Sequence, residues 1–443
     1  MRDTRKIEAD VNNPRLRRMF PRGNSMAALL KLLLFTLLMH TACTSLRFTA
    51  TLDAIHAGAS SFEVGLMLAS ISFGPMFLAI AAGRWLDRSG PRAPMLASRL
   101  SVMAAAGCAI LLPASDLGIA PLFGACVLTG LSFMLTNVVI QRLTGDVTTP
   151  KNRRFAFTAL SLTTASSNLA APVVAGYVIE RLSYTAVYVW SAVAPLILSA
   201  LLFVPAFGIV MKARPRAVRA EAGRTKGAAA DFLRDGPMRA VLVASVIISI
   251  AWEVGNLLIP IYAAGVGLTP SEIGWVLGSF AAATFIVRFV TPFLLKVVLE
   301  WHMIVLSLLL ATAAFAVMPL VTTQGAMMGA AFVLGLGLGA SLPNMMSLVY
   351  LFSPPERIGE AIGLRIMALN LGKSVFPVLA GLLGNWIGAG STIWCLAAFA
   401  AGGCGYAGAA ARTVLSRMKR SGTRKSMDES WMTGMESDRG EDF

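Results

Sequence analysis

Glu253 lies deep in an apolar stretch of this chain, with Ser245, Ser249 and Asn256 at three- or four-residue steps around it. That spacing is one face of a helix. A carboxylate surrounded by hydrocarbon must be neutral or paired. Burial alone favours the neutral acid, which can carry a proton, whereas a fixed cation beside it favours the ionised form. Arg47 and Lys373 are cations in other apolar stretches, and either can pair with Glu253 or hold a solute's anionic group. Arg47 shares its face with Thr36, His40, Thr44 and Thr51. His40 reads as a hydrogen-bonded spacer or as a second proton carrier. A structural ion pair and a proton-coupling site are both open for Glu253.

The elements that must position these groups are transmembrane helices. Hydrophobic residues make up 56% of the chain and charged residues 14%, against about a quarter charged in soluble domains. Apolar runs approach the ~20 residues of a bilayer-crossing helix. They predict twelve spans, at 28–50, 62–82, 94–112, 120–141, 156–178, 187–208, 239–262, 271–292, 303–320, 326–350, 359–384 and 391–411. The net charge of +15 does not indicate nucleic acid. With the N-terminus inside, Arg181 is the one Lys or Arg in the outer connections, and Lys31, Arg47, Arg99, Arg288, Arg365 and Lys373 lie in or at the edges of spans. All the others fall on the inner side, the positive-inside pattern of a multi-pass inner (plasma) membrane protein with cytoplasmic termini. Cys43, Cys108, Cys126, Cys395 and Cys404 all fall in spans without CxxC spacing, so no disulfide or metal site is expected. The basic-then-apolar start resembles a signal peptide, but eleven further spans favour a retained first helix.

The chain divides into a basic tail (1–27), a six-span bundle (28–208), a polar linker (209–238), a second six-span bundle (239–411) and a tail (412–443). The bundles repeat one another. Ser61–Ser70 matches Pro270–Ser279 at an offset of 209, and Gly58 falls on Gly267. Gly130 with Asn137 matches Gly337 with Asn344 at 207, and Pro172–Gly176 matches Pro377–Gly381 at 205. A parallel repeat predicts an all-α polytopic membrane protein, its two pseudo-symmetric six-helix bundles enclosing a central cavity.

The loop after span 2 reads Gly83-Arg84-Trp85-Leu86-Asp87-Arg88-Ser89-Gly90-Pro91-Arg92. It resembles the cytoplasmic signature of the major facilitator superfamily, and the resemblance extends over about 28–411. It implies a gate formed by Gly83, Asp87, Arg88, Gly90 and Arg92, with Arg365 of span 11 in reach of Asp87. Gly83 would allow close helix approach, Gly90 the tight turn, and Asp87 would bond to a helix N-terminus or cation of the other half. The second-half loop 292–301 lacks the signature. Asp146–Arg154 and Pro354–Arg357 read as positioning elements at helix starts. Span 5, with Ser167, Ala171, Pro172, Ala175 and Gly176, resembles the exporters' antiporter signature with Ser or Ala at three Gly positions. These small residues would pack span 5 tightly on its neighbours. Span 4 departs further, with Cys126 where those exporters carry Arg.

In the resembled fold spans 1, 4, 7 and 10 line the cavity. The expected lining is His40, Thr44, Arg47, Thr136, Asn137, Ser249, Glu253, Asn256 and Asn344, with Lys373 from span 11. No His-Glu-x-x-His, Gly-x-Ser-x-Gly or Gly-rich Lys-Ser/Thr phosphate loop is present. The expectation is therefore a non-enzymatic, monomeric, cofactor-free secondary transporter in the lipid bilayer. Its partners are a small-molecule solute and protons. The leading reading is proton-coupled efflux of a drug-like compound or metabolite, the alternative an uptake permease or symporter. The central charges tilt toward an anionic or zwitterionic solute.

Overall fold

The computed structural model describes residues 25–111, 118–148, 153–202, 230–294, 300–353 and 358–420. The long helices are α1 (Ser25–His56), α2 (Ser61–Ser89), α3 (Arg92–Ile110), α4 (Ala120–Val147), α5 (Arg153–Arg181) and α6 (Tyr184–Leu202). The second six are α7 (Gly236–Gly265), α8 (Pro270–Leu294), α9 (Glu300–Val317), α10 (Gln324–Phe352), α11 (Ile358–Ile387) and α12 (Ala389–Arg420). They follow the twelve predicted spans in order. Among the described residues, ten stretches are long and apolar enough to cross a membrane. Most of the 209–238 linker, most of both tails, residues 149–152 of one predicted positioning loop and Pro354–Arg357 lie outside the described residues.

Local chemistry sets the helix boundaries, and it does so twice. Ser60 caps α2 through a reciprocal box in which its backbone N–H donates to Glu63 Oε2 (2.7 Å) and the Glu63 N–H donates to Ser60 Oγ (3.3 Å). At α8 the Thr269 N–H donates to Glu272 Oε2 (2.8 Å) and the Glu272 N–H to Thr269 Oγ1 (3.4 Å). Just before each box, Gly58 (φ 82°) and Gly267 (φ 90°) take the left-handed conformation that ends the preceding helix. Gly90 (φ 74°) makes the α2–α3 turn.

Packing between the halves is duplicated in the same way. A β-carbon at Gly65 would lie 2.5 Å from the Pro377 carbonyl oxygen, and one at Gly274 2.5 Å from that of Pro172. Likewise Gly381 abuts the Ser61 carbonyl and Gly176 that of Pro270. The α2 and α8 members of these pairs differ by 209 in number, the α5 and α11 members by 205. The α2–α11 and α5–α8 crossings are thus one contact made twice, as a twofold along the bundle requires. Both crossings lie at the end that the charge pattern assigns to the outside. Toward the other end, Gly74 and Gly83 have nothing within 4 Å of a β-carbon position. In this conformation the close approach expected at Gly83 is made by Gly65 instead.

The structure also corrects one repeat pairing. Gly130 of α4 packs on the Ile71 carbonyl of α2, and the residue packing on the equivalent Phe280 carbonyl of α8 is Gly335, not Gly337. Gly337 faces the Ser307 carbonyl of α9. The offset at α10 is therefore 205. Two residues on a helix are about 200° of rotation, so Asn344 is turned away from the direction Asn137 takes in α4.

Candidate functional site

Directly beneath the outer crossings lies a cavity of about 370 Å³. Much of its wall repeats between the halves. α1 contributes Cys43, Thr44, Arg47 and Thr51 where α7 contributes Trp252, Glu253, Asn256 and Pro260. From α2 come Leu68, Ile71, Ser72 and Pro75, and from α8 Leu277, Phe280, Ala281 and Thr284. Ala165 and Asn168 of α5 are matched by Asn370 and Lys373 of α11. α4 adds Thr129, Gly130, Phe133, Met134, Asn137 and Val138. Among the described residues α10 lines none of it, since its glycines hold it behind α8 and α9.

At the centre the Arg47 guanidinium donates to Glu253 Oε2 at 2.9 Å, and Lys373 Nζ lies 3.3 Å from Glu253 Oε1. One carboxylate thus bridges two cations, each oxygen taking one, and joins α1 to α7 and α11 across the halves. At 1.5 Å per residue the three lie roughly 14–21 Å from their helices' outer ends, close to mid-membrane. Glu253 is the least exposed, at 13%, against 31% for Arg47 and 35% for Lys373. The cations keep an open side toward the cavity. Trp252 and Phe280 form an edge-on pair at 4.9 Å and supply an aromatic wall.

Thr44, Arg47, Asn137, Glu253, Asn256 and Lys373 of the expected lining all face this cavity. His40, Thr136, Ser249 and Asn344 are absent from its wall. His40 is buried behind it, its ring 4.6 Å from that of Phe133 and its Nδ1 3.4 Å from Thr44 Oγ1. Thr136 turns toward α3 and bonds Ser98 at 2.6 Å. Ser249 is half-buried one turn below Glu253. Asn344 is fully buried, its Nδ2 donating to the Ala340 carbonyl (2.9 Å) while Oδ1 has no partner. The aromatic wall, Asn168 and Asn370 escape sequence reasoning. The 205 offset from Lys373 to Asn168 carries a signal, but the small-residue pattern of α5 points to packing alone.

The small-residue face of α5 packs in two directions. Ser167 Oγ donates to the Leu37 carbonyl of α1 (3.3 Å), while Pro172 and Gly176 meet α8 at the outer crossing. Ala171 and Ala175 are fully buried. At the inner end Arg88 and Arg92 are exposed, and the Asp87 side chain lies outside the described residues. Arg365 is buried, and its Nε donates to Ser245 Oγ of α7 at 3.1 Å, within its own half. No described group of His, Cys, Asp or Glu has the arrangement of a metal site.

The profile of the Major Facilitator Superfamily matches residues 32–269 and again 241–432. The chain belongs to the Major Facilitator Superfamily. It is a multi-pass, all-helical secondary transporter and not an enzyme, and members of this superfamily take small solutes, often with protons. Solved structures with this fold include the nucleoside transporter NupG, with a TM-score of 0.71, 12% identity and coverage of 86% of this chain and 99% of that one. The peptide transporter POT in complex with sulfate has a TM-score of 0.69 and 16% identity, covering 87% and 94%. A bacterial homologue of the human lysosomal transporter Spinster, inward-facing and occupied, has a TM-score of 0.65 and 13% identity, covering 88% and 97%. No curated protein matches the chain significantly.

Proposed function

We propose that this transporter takes up a small carboxylate-bearing solute, anionic or zwitterionic, together with a proton. The observation that carries the reading is the single Glu253 carboxylate held between Arg47 and Lys373. An incoming anion must compete with Glu253 for those cations, and a proton on Glu253 removes the competitor. Proton and anion then assist one another's binding, and mutual assistance is symport. The empty triad carries a net charge of +1, and loading one proton with one monoanion leaves it at +1. Both states therefore face a similar desolvation cost when the site is occluded. Symport with an inward proton gradient is uptake. The sequence-based preference for efflux gives way here, because proton and solute would compete for Glu253 only if the solute were a cation, which Arg47 and Lys373 repel.

The small-residue face of α5, similar to an antiporter signature, favours the second reading, export by antiport. Residue roles in the lining, the inner gate of Gly83, Asp87, Arg88, Gly90, Arg92 and Arg365, the plasma membrane, cytoplasmic termini and a monomer all belong to the proposal. It is tested in proteoliposomes under an imposed inward proton gradient, with a panel of neutral, cationic, zwitterionic and monoanionic solutes. The wild type accumulates a carboxylate, whereas Glu253→Gln loses gradient-driven accumulation and keeps solute exchange. Proton-driven accumulation retained by Glu253→Gln, or wild-type vesicles that move only cations, would overturn it.

A further inference from the structure

Arg288 is a cation in mid-helix that the triad does not use. It sits one turn inward of Thr284 on the α8 face that lines the cavity, and Ser161 sits one turn inward of Ala165 on the lining face of α5. Its Nη1 donates across the halves to the Ser161 carbonyl oxygen at 3.2 Å and to Ser161 Oγ at 3.3 Å. Both acceptors are neutral, so among the described residues the positive charge is solvated but not cancelled. Arg288 is only partly buried. The repeat makes its placement specific. Position 288 corresponds to Ala79 and position 161 to Ile366, so the α2–α11 side of the mouth has an alanine and an exposed isoleucine where the α5–α8 side has this charge.

An uncompensated arginine between helices is costly in a membrane and calls for a ligand or a hydrated path. Because the glycine crossings hold the halves together at the end assigned to the outside, the way out for a solute released from the triad runs past the inner turns of the lining helices. We propose that Arg288 is a second anion station at the inner mouth, taking the solute's carboxylate after it leaves Arg47 and Lys373. The station rests on the anionic reading of the cavity. It gives the departing anion a weaker single-cation site and lets Glu253 re-form its two bonds behind it.

The test uses Ser161→Cys, which leaves the backbone acceptor in place, in inside-out vesicles. The probes are two membrane-impermeant methanethiosulfonates, ethylsulfonate (anionic) and ethyltrimethylammonium (cationic), with the Ser161 parent subtracted. A unit charge near 5 Å in a hydrated mouth favours the anionic reagent by about tenfold in the ratio of rates. With each rate normalised to that reagent's rate on a free thiol in solution, adding Arg288→Gln should bring the ratio near one, adding Arg288→Lys should keep it, and sulfate should slow labelling only where the cation remains. A ratio that Arg288→Gln does not move, or a Ser161→Cys thiol unreactive from the inner side in every variant, overturns the station and makes the contact a packed strut. Because the readout needs no transported solute, a loss of proton coupling would defeat the symport reading without touching it.

Discussion

Apart from α4 and α10, the two halves present largely the same positions to the cavity and different chemistry at them. Under the repeat Thr44 corresponds to Glu253, Arg47 to Asn256 and Asn168 to Lys373, all six lining the same space. At the outer crossings the halves are chemically alike, glycine against a prolyl or seryl carbonyl on each side. Moving parts thus stay symmetric, since a rocking motion about a twofold needs both crossings to open together. Among the matched pairs of α1, α5, α7 and α11, the divergence falls on side chains that face the cavity. Under the proposed symport, a carboxylate in one half and cations from both would let an anion and a proton bind at one place.

The largest effects should come from filling the glycine crossings. Gly65→Val and Gly274→Val are equivalent by symmetry and should act alike. Overpacking costs about 1–3 kcal/mol, and a crossing between halves can relieve it by opening. The outer seal should therefore loosen, with labelling of an added Asn256→Cys thiol by an impermeant reagent outside rising about tenfold. Gly130→Val is the contrast, because its neighbour, the Ile71 carbonyl, belongs to the same half. It should lower folded yield in detergent rather than raise outside labelling. Unequal behaviour of Gly65→Val and Gly274→Val would break the comparison at its base.

Next in size is the cation that distinguishes α11 from α5. Lys373→Asn removes one charge-assisted bond, worth about 1.5–3 kcal/mol. The partial exposure of Lys373 at 35% argues for the lower end of that range. Half-saturation for a transported carboxylate should rise about tenfold in a counterflow assay. Adding Asn168→Lys returns the cation at the equivalent position of the other half and should recover part of the loss. No recovery would mean that Glu253, fixed on α7, reads position 373 alone, and that positional symmetry does not extend to function.

What the sequence makes legible follows from what leaves a one-dimensional trace. The succession of long helices is written in apolar runs, and the placement of Lys and Arg carries the orientation that belongs to the proposal. Glu253, Arg47 and Lys373 are legible because charges in hydrocarbon are rare and need partners. The rotation of a helix about its own axis is harder to read when polar groups are few. α10 carries Ser341, Asn344 and Ser347, a polar stripe as good as that of α4, yet tight glycine packing on α8 and α9 decides which way it faces. The aromatic wall is illegible for the opposite reason, since Trp252 and Phe280 look like core residues unless the cavity beside them is known.

Asn137 and Asn344 give the smallest and most discriminating effects. Both donate to the carbonyl four residues back, Asn137 to Phe133 and Asn344 to Ala340, each at 2.9 Å. They differ in surroundings, since Asn137 lines the cavity and Asn344 is fully buried with Oδ1 unpartnered. Asn344→Ala gives up one bond but also removes an orphan acceptor whose burial costs about 1–3 kcal/mol. These terms oppose, so thermal stability should barely move, and transport at matched expression should stay within about twofold. Asn137→Ala takes a polar group from the solute's path and should lower uptake further. Equal losses in the two variants would mean that α10 turns Asn344 into the cavity at another stage of the cycle. That rotation of about 200° would have to break the backbone-close contacts of Gly335 with α8 and of Gly337 with α9. Since those contacts lie within one half, rocking of the halves would leave them intact, and the unequal result is the one expected.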